Sequence, residues 1–370
     1  MKVLQISMGE TFGGVERLEL DLLNNINKDI RFDFLTPNDI PFIDYKNEIE
    51  KLNGGIYNLN VSRNNRIGKL VYAHRLYKFL KNNKYDIVHI NSSAFFFSFH
   101  LALITRICKN GKVVVHIHSL PKIGKVKKIM KKLLFPIYFK ITDEYLACSK
   151  KSGEAFFTKK HMNKVQILKN GIEIEKFKFN ESTRKEYIEK LGLEGNVVYG
   201  NIGRFELEKN HMLLIDIFNE IQKRQENSKL LLVGEGKLKQ KIEEKVKQLG
   251  IEEKVIFLGF RKDIDKILNC LDVFILPSIS EGLGISAIEA QTNGVYVYCS
   301  KAIPNEAKIS SNLEYFDLKE LPFNIANTIC NKGINLTDRK EAYNCAIENG
   351  YDIKETCKKL EEIYARIKSN

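Results

Sequence analysis

Two carboxylates bracket a glycine-bearing stretch, Glu281-Gly282-Leu283-Gly284-Ile285-Ser286-Ala287-Ile288-Glu289. The stretch follows the β-branched run Val273–Leu276, which places Glu281 in a loop, Gly282 and Gly284 at a helix start, and Glu289 within the helix. Exposed N–H groups at a helix start take phosphate oxygens, and each carboxylate accepts hydrogen bonds from a pair of hydroxyls. That chemistry fits a sugar nucleotide. Ile285, Ile288 and Ala290 imply a largely buried helix, where a carboxylate such as Glu289 needs partners. The structural alternative makes Glu281 a helix-start carboxylate and Glu289 a solvated helix residue.

A second cluster, Gly203-Arg204-Phe205-Glu206-Leu207-Glu208-Lys209-Asn210-His211, follows the run Val197–Ile202. It sets Arg204 and Lys209 at the carboxyl edge of a parallel sheet, where such folds bind ligands. A guanidinium fork with a lysine point charge suits a diphosphate whose charge grows as it departs. A third, Met8-Gly9-Glu10-Thr11-Phe12-Gly13-Gly14, joins the first strand to a helical pattern (Leu18, Leu22, Leu23, Ile26). Glycines there let backbone approach a ligand, but the spacing is not that of the dinucleotide fingerprint, and a purely structural turn fits equally.

The elements that position these groups are short apolar runs alternating with amphipathic helices. The runs are Val3–Ser7, Phe32–Leu35, Ile87–Asn91 and Val113–Ile117, then Val197–Ile202, Leu230–Val233, Val255–Leu258, Val273–Leu276 and Val295–Cys299. Such runs predict parallel strands buried on both faces and an α/β chain of two doubly wound domains. The expected division is residues 1–175, 176–352 and a terminal helix in 353–370, with the turn Asn170-Gly171 and the charged stretch Lys176 to Lys190 at the boundary.

Seven scattered cysteines without C-x-x-C spacing argue for reduced thiols and against zinc. The start of the chain reads as a strand, not a signal peptide, and the apolar stretch Ala94–Thr105 is too short for the roughly 20 residues that span a bilayer. A cytoplasmic protein, peripheral at most on the inner face of the membrane, is expected. The chain carries 59 Lys and Arg against 46 Asp and Glu; residues 1–175 hold 29 against 16, and the rest 30 against 30. The first half therefore suits an anionic partner, with solvated lysine faces as the alternative.

The constellation resembles the retaining glycosyltransferases of family 4, whose signature is E-x7-E, here Glu281 and Glu289. Gly13-Gly14, Cys148-Ser149, Asn170-Gly171-Ile172, Gly203-Arg204 with Lys209, Leu232-Val233-Gly234-Glu235-Gly236 and Leu258-Gly259 extend the likeness over nearly the whole chain. The wording of the E-x7-E block is most similar to the bacterial capsule and exopolysaccharide branch. Asn293-Gly294-Val295 departs from the usual Ala-x-G-x-P that follows. The resemblance implies the GT-B architecture, two facing Rossmann-like doubly wound domains with a C-terminal helix crossing back to the first. The first domain would take the acceptor and the second the nucleotide sugar.

By the same resemblance, Glu289 would hold ribose hydroxyls, Glu281 hexose hydroxyls, and Arg204 with Lys209 the diphosphate. The N–H groups at Gly282, Leu283, Gly284 and Ile285 would cap oxygens, Gly13 and Gly14 would close on the donor, and the base would lie near Phe260 and Arg261. His118 would contact the donor hexose, with His116, on the same strand face, as runner-up; His89 and His211 read as hydrogen-bonded structural residues. The implied reaction is retaining transfer of a hexose or N-acetylhexosamine from a UDP-sugar to a lipid-linked saccharide, without cofactor or obligatory metal. A GDP-mannose-dependent mannosyltransferase, a sugar-nucleotide epimerase of the same architecture and a non-catalytic membrane-associated scaffold are the alternatives.

From Lys122 to Lys140 there are seven lysines and no acid, and Val126, Ile129, Met130, Leu133 and Leu134 make one apolar stripe. Such a helix can lie on an anionic membrane surface. The alternative packs the stripe into the core and solvates the lysines. Nucleic acid is not an expected partner, since no aromatic interleaves with the lysines before Phe135.

Overall fold

The computed structural model describes residues 1–6, 13–36, 45–61, 66–121, 125–157, 159–332 and 339–369. The stretch Met8–Phe12 of the first glycine loop, including Gly9, lies outside these residues, as do the side chains of Lys122, Lys125, Lys127 and Lys128. In chain order the first elements are β1 (Lys2–Ile6), α1 (Gly14–Asn25), β2 (Arg31–Thr36), α2 (Lys46–Lys51), β3 (Gly55–Asn58), α3 (Arg66–Asn82), β4 (Ile87–Asn91), α4 (Phe95–Ile107), β5 (Lys112–Ile117), α5 (Lys125–Ile141), β6 (Glu144–Ala147), α6 (Lys150–Phe157) and β7 (Gln166–Ile167). Next come α7 (Ile174–Phe177), α8 (Glu181–Lys190), β8 (Val197–Ile202), α9 (His211–Gln222), β9 (Ser228–Val233), α10 (Lys239–Gln248), β10 (Val255–Gly259), α11 (Ile264–Cys270), β11 (Val273–Leu276), α12 (Ile285–Thr292), β12 (Tyr296–Ser300), β13 (Leu313–Phe316), α13 (Pro322–Asn331) and α14 (Tyr343–Glu348). The last is α15 (Ile353–Ser369).

The chain divides into two compact units, Met1–Ile172 with Asp352–Asn370, and Glu173–Tyr351. Among the described residues, the first holds a seven-stranded sheet of order β3-β2-β1-β4-β5-β6-β7 and the second a six-stranded sheet of order β10-β9-β8-β11-β12-β13. The named strand pairs are parallel, as expected of continuous apolar runs joined by helices. The strands that the runs did not predict, β3, β6, β7 and β13, lie at or next to sheet edges, where two to four residues with polar members suffice. The charged boundary stretch is helical: α8 docks through polar contacts, with Arg184 Nη2 2.6 Å from Asp272 Oδ1 and Tyr187 Oη donating to Asp263 at 2.5 Å.

In the first unit the sheet's two faces carry two cores. Leu4, Ile6, Val88, Ile90, Val113 and Val115 face an aromatic layer that includes Phe95, Phe135, Tyr138 and Phe156. Val3, Phe32, Phe34, Ile87 and Val114 pack beneath α1 and α15. The terminal helix docks because Ile353, Cys357, Leu360, Tyr364 and Ile367 recur every three or four residues and form one buried stripe. Its start is pinned by the Ile353 N–H donating to Ile172 O at 3.0 Å. Gly171 permits the approach, since a Cβ there would stand 2.5 Å from Thr356 Oγ1 and 2.7 Å from Ile353 Cα.

The described part of the basic helix does not pack most of its apolar stripe into the core, as the alternative reading expected. Phe135 and Tyr138 of α5 are buried, and Leu134 is half-buried, but Ile129 and Leu133 are 66% and 72% exposed, and Met130 and Ile137 are exposed as well. Most of the described part of the apolar stripe therefore faces outward. The inward face includes a lysine: Lys131 is buried, with Nζ 4.9 to 5.5 Å from the ring centroids of Phe95, Phe135 and Phe156, an arrangement stabilised by cation–π attraction.

Two substitutions test the docking of the terminal helix. Leu360→Ala should lower stability by about 2–5 kcal/mol through cavity formation, and Gly171→Ala by about 1–3 kcal/mol through overpacking, both read by urea denaturation of the full chain.

Candidate functional site

In each sheet the strand order reverses once, between β1 and β4 and between β8 and β11. At such a point the connections leaving the two strands go to opposite faces and open a crevice at their carboxyl ends. In the second unit the residues after β8 and β11 are 203–211 and 277–284, the two clusters that the sequence singles out. They are joined by main chain and by charge. The Ile279 N–H donates to Glu208 O at 2.7 Å, and Lys209 Nζ lies 2.5 Å from Glu281 Oε1. Ser278 Oγ donates to the same carboxylate oxygen at 2.9 Å, and Ser300 Oγ of β12 bonds back to Ser278 O. The lysine stem crosses Gly203, where a Cβ would lie 3.2 Å from Lys209 Cε.

The loops after β8, β9 and β10 are tied together by backbone. Gly203 N–H donates to Val233 O, Phe205 N–H to Glu235 O and Gly234 N–H to Gly259 O, each at 2.9 Å. Gly234 has φ +138° and would drive a Cβ to 2.2 Å from Gly203 O, so only glycine lets these segments meet. Gly284, with φ +92°, starts α12, and Gly282, Leu283 and Gly284 are buried. Leu283, Gly284 and Ile285 thus stand at a helix start whose first N–H groups have no partner within the helix.

Arg204 is exposed and, among the described residues, pairs with no carboxylate. Glu289 is half-buried, not buried as its neighbours suggested, because it lies on the side of α12 away from Ala287, Ile288 and Ala290. Phe260 is exposed. Arg261 forks onto Asp263, at 2.8 and 2.5 Å, so its guanidinium is engaged within the loop. Asp263-Ile264-Asp265 has D-x-D spacing, but Asp263 is held by Arg261 and Tyr187, which keep its carboxyl below the usual carboxylate range. His211 is buried against Phe205, and neither ring nitrogen has a hydrogen-bond partner. This corrects its reading as a hydrogen-bonded residue. Burial, and then the charge of Lys209, lower its pKa to about 4.

In the first unit Gly13 caps α1, and its N–H donates to Glu16 Oε2 at 3.1 Å. Among the described residues, none lies within 4 Å of where a Cβ at Gly14 would stand. His118 follows β5 and lies against His116, with ring centroids 3.9 Å apart, and His116 stacks on His89 at 5.4 Å. Burial lowers the pKa of His118 to about 4 and of His89 to about 3, and it holds His116 well below the ordinary imidazole value. His118 Nε2 lies 3.0 Å from Asn91 Oδ1 at the end of β4. The His89 Nδ1 bonds to Tyr364 Oη of α15 at 2.5 Å.

Residues 12–176 match the family model Glycosyltransferase Family 4, and residues 183–315 match Glycosyl transferases group 1. The chain belongs to the family 4 glycosyltransferases. It is 28% identical to EpsF of Bacillus subtilis (strain 168), over 82% of this chain and 79% of EpsF. It is 27% identical to the UDP-Gal:alpha-D-GlcNAc-diphosphoundecaprenol alpha-1,3-galactosyltransferase of Escherichia coli, over 98% of this chain and 96% of that one. Its fold is GT-B. A structure of HepE from Anabaena in complex with UDP and glucose superposes with a TM-score of 0.80 at 19% identity, covering 99% of this chain and all of HepE.

Several residues of this glycosyltransferase's candidate site were not singled out in the sequence. Ser278 holds Glu281 from three residues away in the same loop, and Ser300 of β12 holds Ser278 through a contact that no local spacing reveals. Asn91 and Glu19 hold His118, and here a signal was present. Glu19 stands on the repeat that includes Leu22, Leu23 and Ile26, so a carboxylate occupies a core position of α1. Because three loops depend on the approach at Gly234, Gly234→Ala should destabilise the second unit by at least about 1–3 kcal/mol. Limited proteolysis should then cut the variant first in 203–211 and 234–238.

Proposed function

We propose that the enzyme transfers a hexose or N-acetylhexosamine, with retention, from a UDP-sugar to a lipid-linked saccharide in capsule or exopolysaccharide assembly. The observation that carries this reading is the joining of Lys209 and Glu281 at the strand-order reversal of the second unit, with the start of α12 in the same loop and Arg204 unpaired. The second unit takes the donor: Arg204, Lys209 and the N–H groups of Leu283, Gly284 and Ile285 bind the diphosphate, Glu281 the hexose and Glu289 the ribose. The names of the relatives support the substrate classes, since the Escherichia coli enzyme is named for a UDP-sugar donor and a diphosphoundecaprenol acceptor.

In the reaction the bond from the anomeric carbon to the β-phosphate oxygen breaks, and a bond to the acceptor oxygen forms on the same face. The acceptor proton passes to the departing phosphate. Fixed cations and dipoles stabilise the charge that grows on the diphosphate, work for which Arg204 and Lys209 suffice without a metal. Lys209 gives up part of its contact with Glu281 as the donor arrives, freeing the carboxylate for sugar hydroxyls. His118, neutral because of burial, accepts a hydrogen bond from a substrate hydroxyl in the first unit.

Titration calorimetry with UDP, GDP and ADP, with and without EDTA, tests the donor site. UDP should bind preferentially, EDTA should change nothing, and Glu289→Ala should weaken binding at least about tenfold through lost hydrogen bonds to a charged acceptor. Absence of nucleotide binding would overturn the assignment.

The lipid-linked acceptor places the enzyme at a membrane surface, and α5 supplies a contact. Ile129, Met130, Leu133 and Ile137 are exposed, flanked by exposed Lys132 and Lys140. No helix among the described residues is long and apolar enough to cross a bilayer, so the contact would be superficial. Cosedimentation should be strong with vesicles containing anionic phosphatidylglycerol and weak with neutral ones. Ile129→Glu/Leu133→Glu should reduce it at least about tenfold, since each buried side chain contributes about 1.5–3 kcal/mol.

A further inference from the structure

The polar residues of the first unit's sheet form one connected network on the face covered by α1 and α15. Gln5, His89, Asn91 and His116 share the side of the sheet that also presents Val3, Ile87 and Val114, because strand side chains alternate. Asn91 Nδ2 lies 2.6 Å from Glu19 Oε1 and 2.9 Å from Gln5 Oε1. Glu19 and Asn91 are both buried, so each link must be satisfied within the protein. A carboxylate only accepts hydrogen bonds, which turns the amide nitrogen of Asn91 toward Glu19 and its carbonyl oxygen toward His118.

We propose that Glu19, acting through Asn91, fixes the proton of His118 on Nε2 and leaves the lone pair on Nδ1. The carbonyl Oδ1 of Asn91, 3.0 Å from Nε2, can only accept, so Nε2 must carry the hydrogen. A ring kept neutral by burial has one proton to place, and Nδ1 is then the acceptor. Nδ1 is buried, and the Asn170 side chain lies beside the imidazole.

The rest of the network runs in the same direction. With its Oε1 accepting from Asn91, Gln5 donates through Nε2 to Tyr364 Oη at 3.2 Å, and the phenol hydrogen is left to donate to His89 Nδ1. Reversing the amides would leave Asn91 Oδ1 against the Glu19 carboxylate and strip hydrogen bonds from buried groups. Glu19 and Asn91 are thus positioning residues for His118, and their effect on the reaction rests on the reading of His118 as a substrate-contacting group.

The test is two-bond 1H–15N correlation on the full chain with 15N-labelled histidine, His118 being assigned by the signal lost in His118→Gln. The wild type should hold the Nε2–H tautomer over the other at least about tenfold, as a buried unsatisfied pair would otherwise result. Glu19→Gln, which lets the Asn91 amide turn, should bring the two tautomers to comparable populations and lower kcat with little change in donor KM. Glu19→Gln/Asn91→Asp should restore the Nε2–H form, because the introduced carboxylate accepts whichever way its neighbours face. An unchanged tautomer in Glu19→Gln, or no restoration in the double variant, overturns the proposal. A shifted tautomer with unchanged kcat supports it while overturning the catalytic reading of His118.

Discussion

A parallel sheet forces each connection to return from the carboxyl end of one strand to the amino end of the next, and the hand of that return decides which face the helix covers. Where the strand order reverses, neighbouring connections part and leave their first residues facing a common gap. That constraint explains why residues far apart in sequence meet in the second unit. The loop after β8 brings Lys209, the loop after β11 brings Glu281, and β12 contributes Ser300 to hold Ser278 beneath the carboxylate. Moving either strand in the sheet order would separate the ion pair.

The second consequence concerns glycine. The loops after β8, β9 and β10, the first of which carries Lys209, lie nearly backbone to backbone, and side chains at the contact would keep them apart. Gly234 and Gly203 meet backbone to backbone, the stem of Lys209 occupies the space a side chain at Gly203 would fill, and Gly284 turns the chain into α12 through a left-handed conformation. The loop that leads into α12 is tied to the loop after β8 by the Ile279 N–H donating to Glu208 O, which suits an anion site that must not reorganise as charge develops.

Legibility from sequence followed the range of the contacts. Glu281 and Glu289 could be read because they lie on one loop and helix, and Arg204 with Lys209 because they follow one buried run. The nine apolar runs each became a strand, whereas short edge strands such as β7 carried too little apolar signal. The pairing of Lys209 with Glu281, and of Asn91 with both Glu19 and His118, joins residues on different elements and has no local trace. For α5 the sequence left two readings of the apolar stripe open, outward or packed into the core. Periodicity located an apolar stripe, but the aromatic layer of Phe95 and Phe156 drew in Phe135, Tyr138 and the stem of Lys131, leaving Ile129 and Leu133 outside.

The central claim is that the donor nucleotide binds the second unit at the carboxyl ends of β8 and β11. Hydrogen exchange of the full chain, read by mass spectrometry with and without UDP, addresses it directly. The account predicts slowed exchange in peptides covering 203–209 and 282–289, where backbone N–H groups at a helix start meet phosphate. Protection confined to other segments, or none at saturating UDP, would contradict it.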